Sequence, residues 1–374
     1  MGMNNADKPP YSGLQYCSRC CMPETTEGIA FDEMGICKAC RASEEKMRID
    51  WSKREVALGK LLASAKTEAR KLDNYDCMVP ISGGKDSAFQ LHVLTKVYGM
   101  RPLAVTHSHN WYSKIGWENL WNVLEKMDVD HILYTPKRSL VNRMARLSLP
   151  LIGDSCWHCH AGILSWPLLC AVKFDIKLLV FGESPAEFSG RDTFSDKEFT
   201  MTDATHVCDI FMKGSVRSGP DALVGDLIEK PELRMYYPPE KDELIAKEIK
   251  AIYLGDYVFW DHERQTEFLV DEYGWKEDKV EGTFKRYKSV ECVMPGVHDY
   301  AKFVKRGYGR ATDFASQDVR AGLMTRDEAL EVAARVDSEV PKALADYLRL
   351  TGYTEDEFYE ILKAQRQGKA KLLP

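Results

Sequence analysis

Apolar and polar positions run along this chain in blocks whose period switches between two and about 3.6 residues. The run Cys-Met-Val-Pro-Ile at 77–81 predicts a buried strand. It gives way at once to a helical pattern with Phe89, Leu91, Val93, Leu94 and Val97 on its apolar side and Gly99 as its stop. The same switch recurs: a strand over 102–106, a helix over 117–126, a strand over 131–135, a helix from Ser139, a helix over 162–173 and a strand over 177–182. Strands alternating with helices at this spacing predict an α/β fold, a doubly wound parallel sheet. Ligands of such sheets lie beyond the carboxyl ends of the strands, which here carry residues 82–87, 107–111, 134–135 and 182–183. Pro80 sits awkwardly in this scheme, because proline removes a ladder donor.

On the N-terminal side, residues 44–72 hold no proline and read as one linking helix. Ile29, Phe31 and the turn Asp32-Glu-Met-Gly35 read as a short hairpin. On the C-terminal side, 231–239 is a proline-rich connector and 241–275 reads as largely helical, with Tyr253, Tyr257, Phe259 and Trp260 as core or substrate rim. Capping-box sequences at Thr325–Glu328 and Thr354–Glu357 open the closing helices. Three parts are expected: a small module over 1–45, the α/β domain with its linking helix over 46–230, and a mainly helical region over 231–374.

Composition narrows the class of protein. Of 374 residues, 44% are hydrophobic and 29% charged, as in globular proteins, and the net charge of −6 provides no global basic footprint for nucleic acid. No stretch approaches the roughly 20 apolar residues of a membrane span. Residues 1–10 show no signal peptide, and Ala6 stands where a myristoylation site needs Ser or Thr. A cytoplasmic location is expected, and there eleven cysteines read as metal ligands or free thiols rather than disulfides.

Four of those cysteines follow C-x2-C-x16-C-x2-C: Cys17, Cys20, Cys37 and Cys40. Two tight turns each presenting two thiolates close a tetrahedral zinc site, so 1–45 reads as a zinc-ribbon module. Cys21 is a spare. A closed four-thiolate site has no open position, and no catalysis is assigned to it.

The stretch with the clearest chemistry is Ser82-Gly83-Gly84-Lys85-Asp86-Ser87, between a strand and a helix N-terminus. The glycines let backbone N–H groups approach an anion, the helix dipole favours negative charge, and Lys85 adds a full positive one. The spacing is not that of a Walker A loop. It resembles the pyrophosphate loop (PP-loop) of the N-type ATP pyrophosphatases. That likeness implies ATP with Mg2+, cleaved to AMP and pyrophosphate, and a sheet of the PP-loop type. Ser82, Gly83, Gly84, Lys85, Asp86 and Ser87 would hold ATP, with His107 and Gly182 at neighbouring strand ends, although His107 reads equally well as a core or rim histidine. Lys85 would neutralise developing charge and Asp86 would order the loop or the magnesium. Glu183 and Glu187, four apart at a strand tip, are either solvated loop residues or carboxylates that hold magnesium or orient an attacking amine. Glu183 is the first choice of proton acceptor.

A second cysteine set, Cys156 and Cys159 with the distant Cys292, admits three readings: buried thiols, a 4Fe–4S cluster with one open iron, or a second zinc completed by His158 or His160. Arg306, Arg310 and Arg320 cluster near glycines and suit phosphate or carboxylate by bidentate bonding, or else form a surface set of ion pairs.

Further stretches resemble one family more closely. Gly-Glu-Ser-Pro-Ala-Glu at 182–187, Leu254-Gly-Asp-Tyr with Trp260, Glu291-Cys292, Lys305-Arg-Gly-Tyr-Gly-Arg310-Ala-Thr, Met324-Thr-Arg-Asp-Glu328-Ala and the N-terminal Cys20-Cys-Met-Pro-Glu-Thr are similar to the N-acetyl sugar amidotransferases of bacterial surface-polysaccharide pathways. The likeness runs from about residue 17 to about residue 358. It implies an ATP-dependent enzyme that adenylates the acetamido oxygen of a nucleotide-linked N-acetyl sugar. Ammonia from a separate glutaminase subunit then replaces that oxygen to give an acetamidino group, in lipopolysaccharide/O-antigen or related glycan biosynthesis. The rival reading is a tRNA thiolation enzyme, which also joins a zinc ribbon, this loop and a C-x-x-C with a third cysteine. The acidic balance and the absence of a second ribbon sequence at the C-terminus weigh against it.

Overall fold

The computed structural model describes residues 11, 13–186, 202–203 and 219–374. Glu187 lies outside the described residues. Five parallel strands, β1 (Cys77–Pro80), β2 (Pro102–His107), β3 (His131–Tyr134), β4 (Leu178–Phe181) and β6 (Lys250–Tyr253), form one sheet in the order β3-β2-β1-β4-β6. The short β5 (Thr202–Asp203) is added antiparallel to β6 at the edge. Pro80 is tolerated because β1 meets β4 at Met78 opposite Leu179, and Pro80 lies beyond that position.

Side chains of β1 alternate between two cores, as the period of a strand dictates. Cys77 and Val79 join a cluster with Leu58 and Leu62 of α2 (Trp51–Lys71), Leu91 of α3 (Lys85–His92) and Leu120 and Val123 of α4 (Lys114–Met127). Met78 points the other way, with Leu103 and Leu179, onto Leu164 and Leu168 of α6 (Trp157–Phe174). Helices therefore cover both faces, as the continuous apolar strands require.

Two expectations change. The linking helix is broken: α1 (Lys38–Lys46) ends four residues before α2, whose N-cap Asp50 accepts from Lys53 N–H. The region 241–275 is helical over more than half its length but is not separate. It supplies the short α7 (Lys241–Ala246), then β6, then α8 (His262–Tyr273), so the expected boundary at 231 cuts through the sheet. The remaining α-helices among the described residues are α9 (Pro295–Arg306), α10 (Arg310–Ala321), α11 (Arg326–Asp337), α12 (Ala343–Thr351) and α13 (Glu355–Ala364). α9, α12 and α13 bury Val297, Tyr300, Tyr347 and Phe358 against α5 (Arg138–Ile152) and the start of α6, which brings the end of the chain to the carboxyl side of the sheet.

Candidate active site

The loop after β1 is shaped by its own hydrogen bonds and held by two tryptophans. Gly84 N–H donates to Ser82 Oγ at 3.3 Å and Ser87 Oγ donates to Gly84 O at 3.0 Å. Gly83 has φ of +85°, and a Cβ there would stand 2.6 Å from Gly116 O, so only glycine fits. Trp275 Nε1–H donates to Gly83 O (3.0 Å) and Trp260 Nε1–H to Asp86 Oδ1 (3.1 Å). α3 starts at Lys85 with no side chain capping it, which leaves its first N–H groups for an anion.

Lys85 is 1% exposed. Its ammonium bonds Asp86 and stands 2.8 Å from His262 Nδ1. His262 Nε2 is 3.0 Å from Glu183 Oε1. The ring therefore accepts at Nδ1 from the lysine and donates at Nε2 to the glutamate. Lys288 closes the set, 3.3 Å from Glu183 and 3.7 Å from Asp86. Burial lowers Lys85 to about 8, with Lys288 adding repulsion, and Asp86 and Glu183 oppose both. Burial works against Lys288 as well, yet Asp86 and Glu183 hold it above the usual lysine range. Burial and neighbouring Asp86 would raise Glu183, but Lys288 and His262 prevail and take it to about 2. Lys288 and His262 thus hold Glu183 ionised as a charge partner within this set. Asp86 and Glu183, with His262, converge closely enough to hold one cation once a polyanion offsets the two ammonium groups.

Lys85, Asp86, Glu183 and Lys288 line a cavity of about 310 Å³ with Ser82, Gly84 and Ser87, while His262 lines the neighbouring cleft with Trp260. Its far wall is Tyr287, Glu291, His298, Asp299, Arg310 and Asp313. Glu291 Oε2 is buried there without a hydrogen-bond partner, close to Gly84, and burial raises its pKa. Arg310 Nε pairs with Asp299 at 2.7 Å.

Other expected site residues are placed elsewhere. His107 does not face this cavity: its ring is buried against Gly162 of α6 and Tyr236, and burial takes it down to about 3. Gly182 packs beside the cavity against Gln90 and Trp260. The three arginines do not cluster. Arg306 pairs with Glu27 at 2.7 Å on a different face, and Arg320 lines a separate cleft with Trp260 and Asp318. Arg310 and Arg320 open and close the same helix α10, whose rise carries them about 15 Å apart. Sequence reasoning missed His262, Lys288, Tyr287 and Asp299, which stand in no motif. Adjacency of Lys288 to the Glu291-Cys292 stretch is the one signal that could have pointed to it.

Cys17, Cys20, Cys37 and Cys40 come together as expected, with sulfurs 4.0 Å apart for Cys17–Cys40 and 3.7 Å for Cys20–Cys37. Cys17 Sγ accepts N–H groups from Arg19, Cys20 and Cys37, and Cys37 Sγ accepts from Cys40. Sulfurs so converged and so surrounded by backbone donors are arranged as thiolates around a cation, and zinc fits them.

The second set is different. Cys156 is buried and Cys159 and Cys292 are half-buried, but their sulfurs do not all approach within the 4.8 Å that the first set meets. Neither His158 nor His160 completes a cysteine site. His158 is buried on the face of Trp111, and His160 bonds Asp154. The arrangement does not close three thiolates on a single ion such as zinc; a 4Fe–4S cluster takes each thiolate on a different iron and sets no such limit.

Among the described residues no helix is long and apolar enough to cross a membrane. A stretch of 115 residues, 30% of this chain, is 30% identical to the uncharacterized protein MJ1599 of Methanocaldococcus jannaschii and covers 40% of that protein's length. Residues 281–371 match the family model for the C-terminal domain of LPS biosynthesis protein WbpG-like. The far wall of the cavity, from Tyr287 to Gln317, falls within that match, so the glycine loop of the α/β sheet faces the matched stretch across one cavity.

Proposed function

We propose that this chain is an ATP-dependent, AMP- and pyrophosphate-forming amidotransferase that converts the acetamido group of a nucleotide-linked N-acetyl sugar to an acetamidino group in LPS or related glycan biosynthesis. The observation that carries the reading is the shared cavity. One wall is the glycine loop with buried Lys85; the other, with buried Lys288, comes entirely from the stretch similar to an LPS biosynthesis protein.

An amide carbonyl is a weak electrophile and its oxygen a poor leaving group. Attack of that oxygen on the α-phosphorus of ATP breaks the α–β bridge and releases pyrophosphate. Ammonia then adds at the activated carbon, a proton leaves nitrogen, and the C–O bond breaks with AMP carrying the oxygen away. The loop N–H groups, Ser82 and Ser87 hold the pyrophosphate end, while Lys85 and Lys288 neutralise the charge that develops on it. Asp86 and Glu183 would hold Mg2+, which would supply charge neutralisation to the phosphates, and His262 bonds both carboxylates. Arg310 and Glu291, opposite the loop, border the space left for the sugar amide. Ammonia would come from a separate glutaminase, and zinc would hold the N-terminal module.

The test combines the full chain with ATP, Mg2+, ammonium chloride at mildly alkaline pH and a panel of nucleotide-linked N-acetyl sugars, with nucleotides separated by chromatography. AMP and pyrophosphate are expected, with glutamine unable to replace ammonium. Lys85→Ala should cut turnover by about 10²-fold or more, as loss of one transition-state charge partner does. ADP as the main product overturns the reading.

A further inference from the structure

Beyond the catalytic cavity and the four-cysteine module, the molecule contains a third converging donor set, on its α5–α6 side. Asp154 lies in the turn that ends α5, His160 on the first turns of α6, and His298 on the first turn of α9. One carboxylate oxygen of Asp154 and one ring nitrogen of each histidine all lie within 4.8 Å of one another. His160 Nδ1 is 3.0 Å from Asp154 Oδ2, and His298 Nδ1 is 3.2 Å from Asp154 Oδ1. The two imidazole rings stand 5.3 Å apart and nearly perpendicular, at 78°. Rings that converge edge-on through the same nitrogen, rather than stacking, are disposed as ligands are around one ion.

We propose that Asp154, His160 and His298 form a second metal site, for a divalent transition ion of the zinc, iron or manganese class. Two imidazoles and one carboxylate are borderline donors that select such ions over magnesium or calcium, and three protein ligands leave positions open. The carboxylate is already oriented, since Cys156 N–H donates to Asp154 Oδ1 at 2.7 Å, the kind of outer contact that fixes a ligand. Neither ring uses Nε2 in a hydrogen bond among the described residues, so each can carry its proton there and offer Nδ1 to the metal. The Asp86–Glu183–His262 group converges as closely, but the Lys85 and Lys288 ammonium groups already lie within it; no lysine bonds any member of the Asp154 set among the described residues. His298 also lines the loop cavity, so an open position on the metal would border the space where the proposed reaction occurs. The site itself does not depend on that reaction.

The test is metal content and cobalt substitution of the full chain. Zinc-loaded wild type, freed of excess metal, should retain one equivalent at the N-terminal thiolates and a second at the Asp154 set. Cobalt(II) separates them, because thiolate–cobalt charge transfer marks only the former. His298→Ala, His160→Ala and Asp154→Asn should each lose the second equivalent and keep the thiolate band, which also shows that the chain has folded. Cys159→Ser should keep both. Wild type with the thiolate-bound metal alone, or a second equivalent that survives the three ligand variants, overturns the proposal. So does a second equivalent that survives His298→Ala and is lost in Cys159→Ser, since the thiols would then hold it.

Discussion

Lys85 shows how far burial can tune a single group. Its folded value of about 8 lies below the unfolded 10.5, so between those pH values the unfolded chain binds more protons. Stability therefore rises with pH through that window, and below about 8 the buried ammonium is carried at a cost. The neutral variant Lys85→Met has no such term. The stability of wild type relative to Lys85→Met should rise from pH 8 to 10.5 by an amount on the order of 3 kcal/mol at most. Urea melts of both proteins at the two ends of the window measure it, and a difference that stays flat contradicts the burial argument. Near neutral pH the lysine is still mostly protonated, which is the state in which it can meet pyrophosphate.

At the scale of elements, the cavity wall depends on a contact between two helices. Asp337, the last residue of α11, accepts the N–H of Gly309 (2.8 Å), Ala311 (2.9 Å) and Thr312 (3.2 Å), and the Thr312 hydroxyl at 2.6 Å. It thus caps the start of α10, whose own N-cap is the glycine Gly309. Asp337→Ala strands these buried donors, and a cost of about 2–4 kcal/mol is expected in a denaturant melt. Because Arg310 is the first residue of α10, ATP or sugar binding should weaken as well. Asp337→Asn, which keeps an acceptor oxygen, should recover part of both losses. Equal stability of wild type and Asp337→Ala would show that the cap is dispensable.

At the scale of the whole molecule, the cysteine module is bound into the C-terminal helices rather than appended to the chain. Cys21 Sγ meets Thr312 O at 3.4 Å, Thr25 Oγ1 donates to Arg306 O at 2.6 Å, and Arg326 Nε–H donates to Cys17 O at 3.0 Å. Tyr308 packs directly among Cys17, Cys20 and Cys37. Removing the metal should therefore loosen α10 and α11 along with the module. Chelation at neutral pH should lower the thermal midpoint of the whole chain and raise amide exchange across 310–337. Faster exchange confined to 13–46 would show instead that the module unfolds alone.

Local spacing made part of this molecule legible. The cysteine quartet, the glycine loop and the strand–helix alternation are each written within a few tens of residues, and each depends on backbone geometry that short segments dictate. The companions of the loop were not legible. His262 and Lys288 reach Lys85 and Asp86 from about 180 and 200 residues away, and no period or motif records such pairings. The expected arginine cluster failed for a related reason: nearness to glycines in sequence does not offset the rise of α10, which carries Arg320 to another cleft. His107 stands at the predicted strand end, yet the approach of α6 at Gly162 closes over its ring. Cys156 and Cys159 likewise share a motif with His160, but the fold sends that histidine to Asp154 and His298. Sequence by itself determined which segments become strand, glycine turn and cysteine knuckle, because those follow from backbone conformation over short spans. Only tertiary packing decided which charges face one another across the cavity, because that depends on which helices the apolar faces bring together.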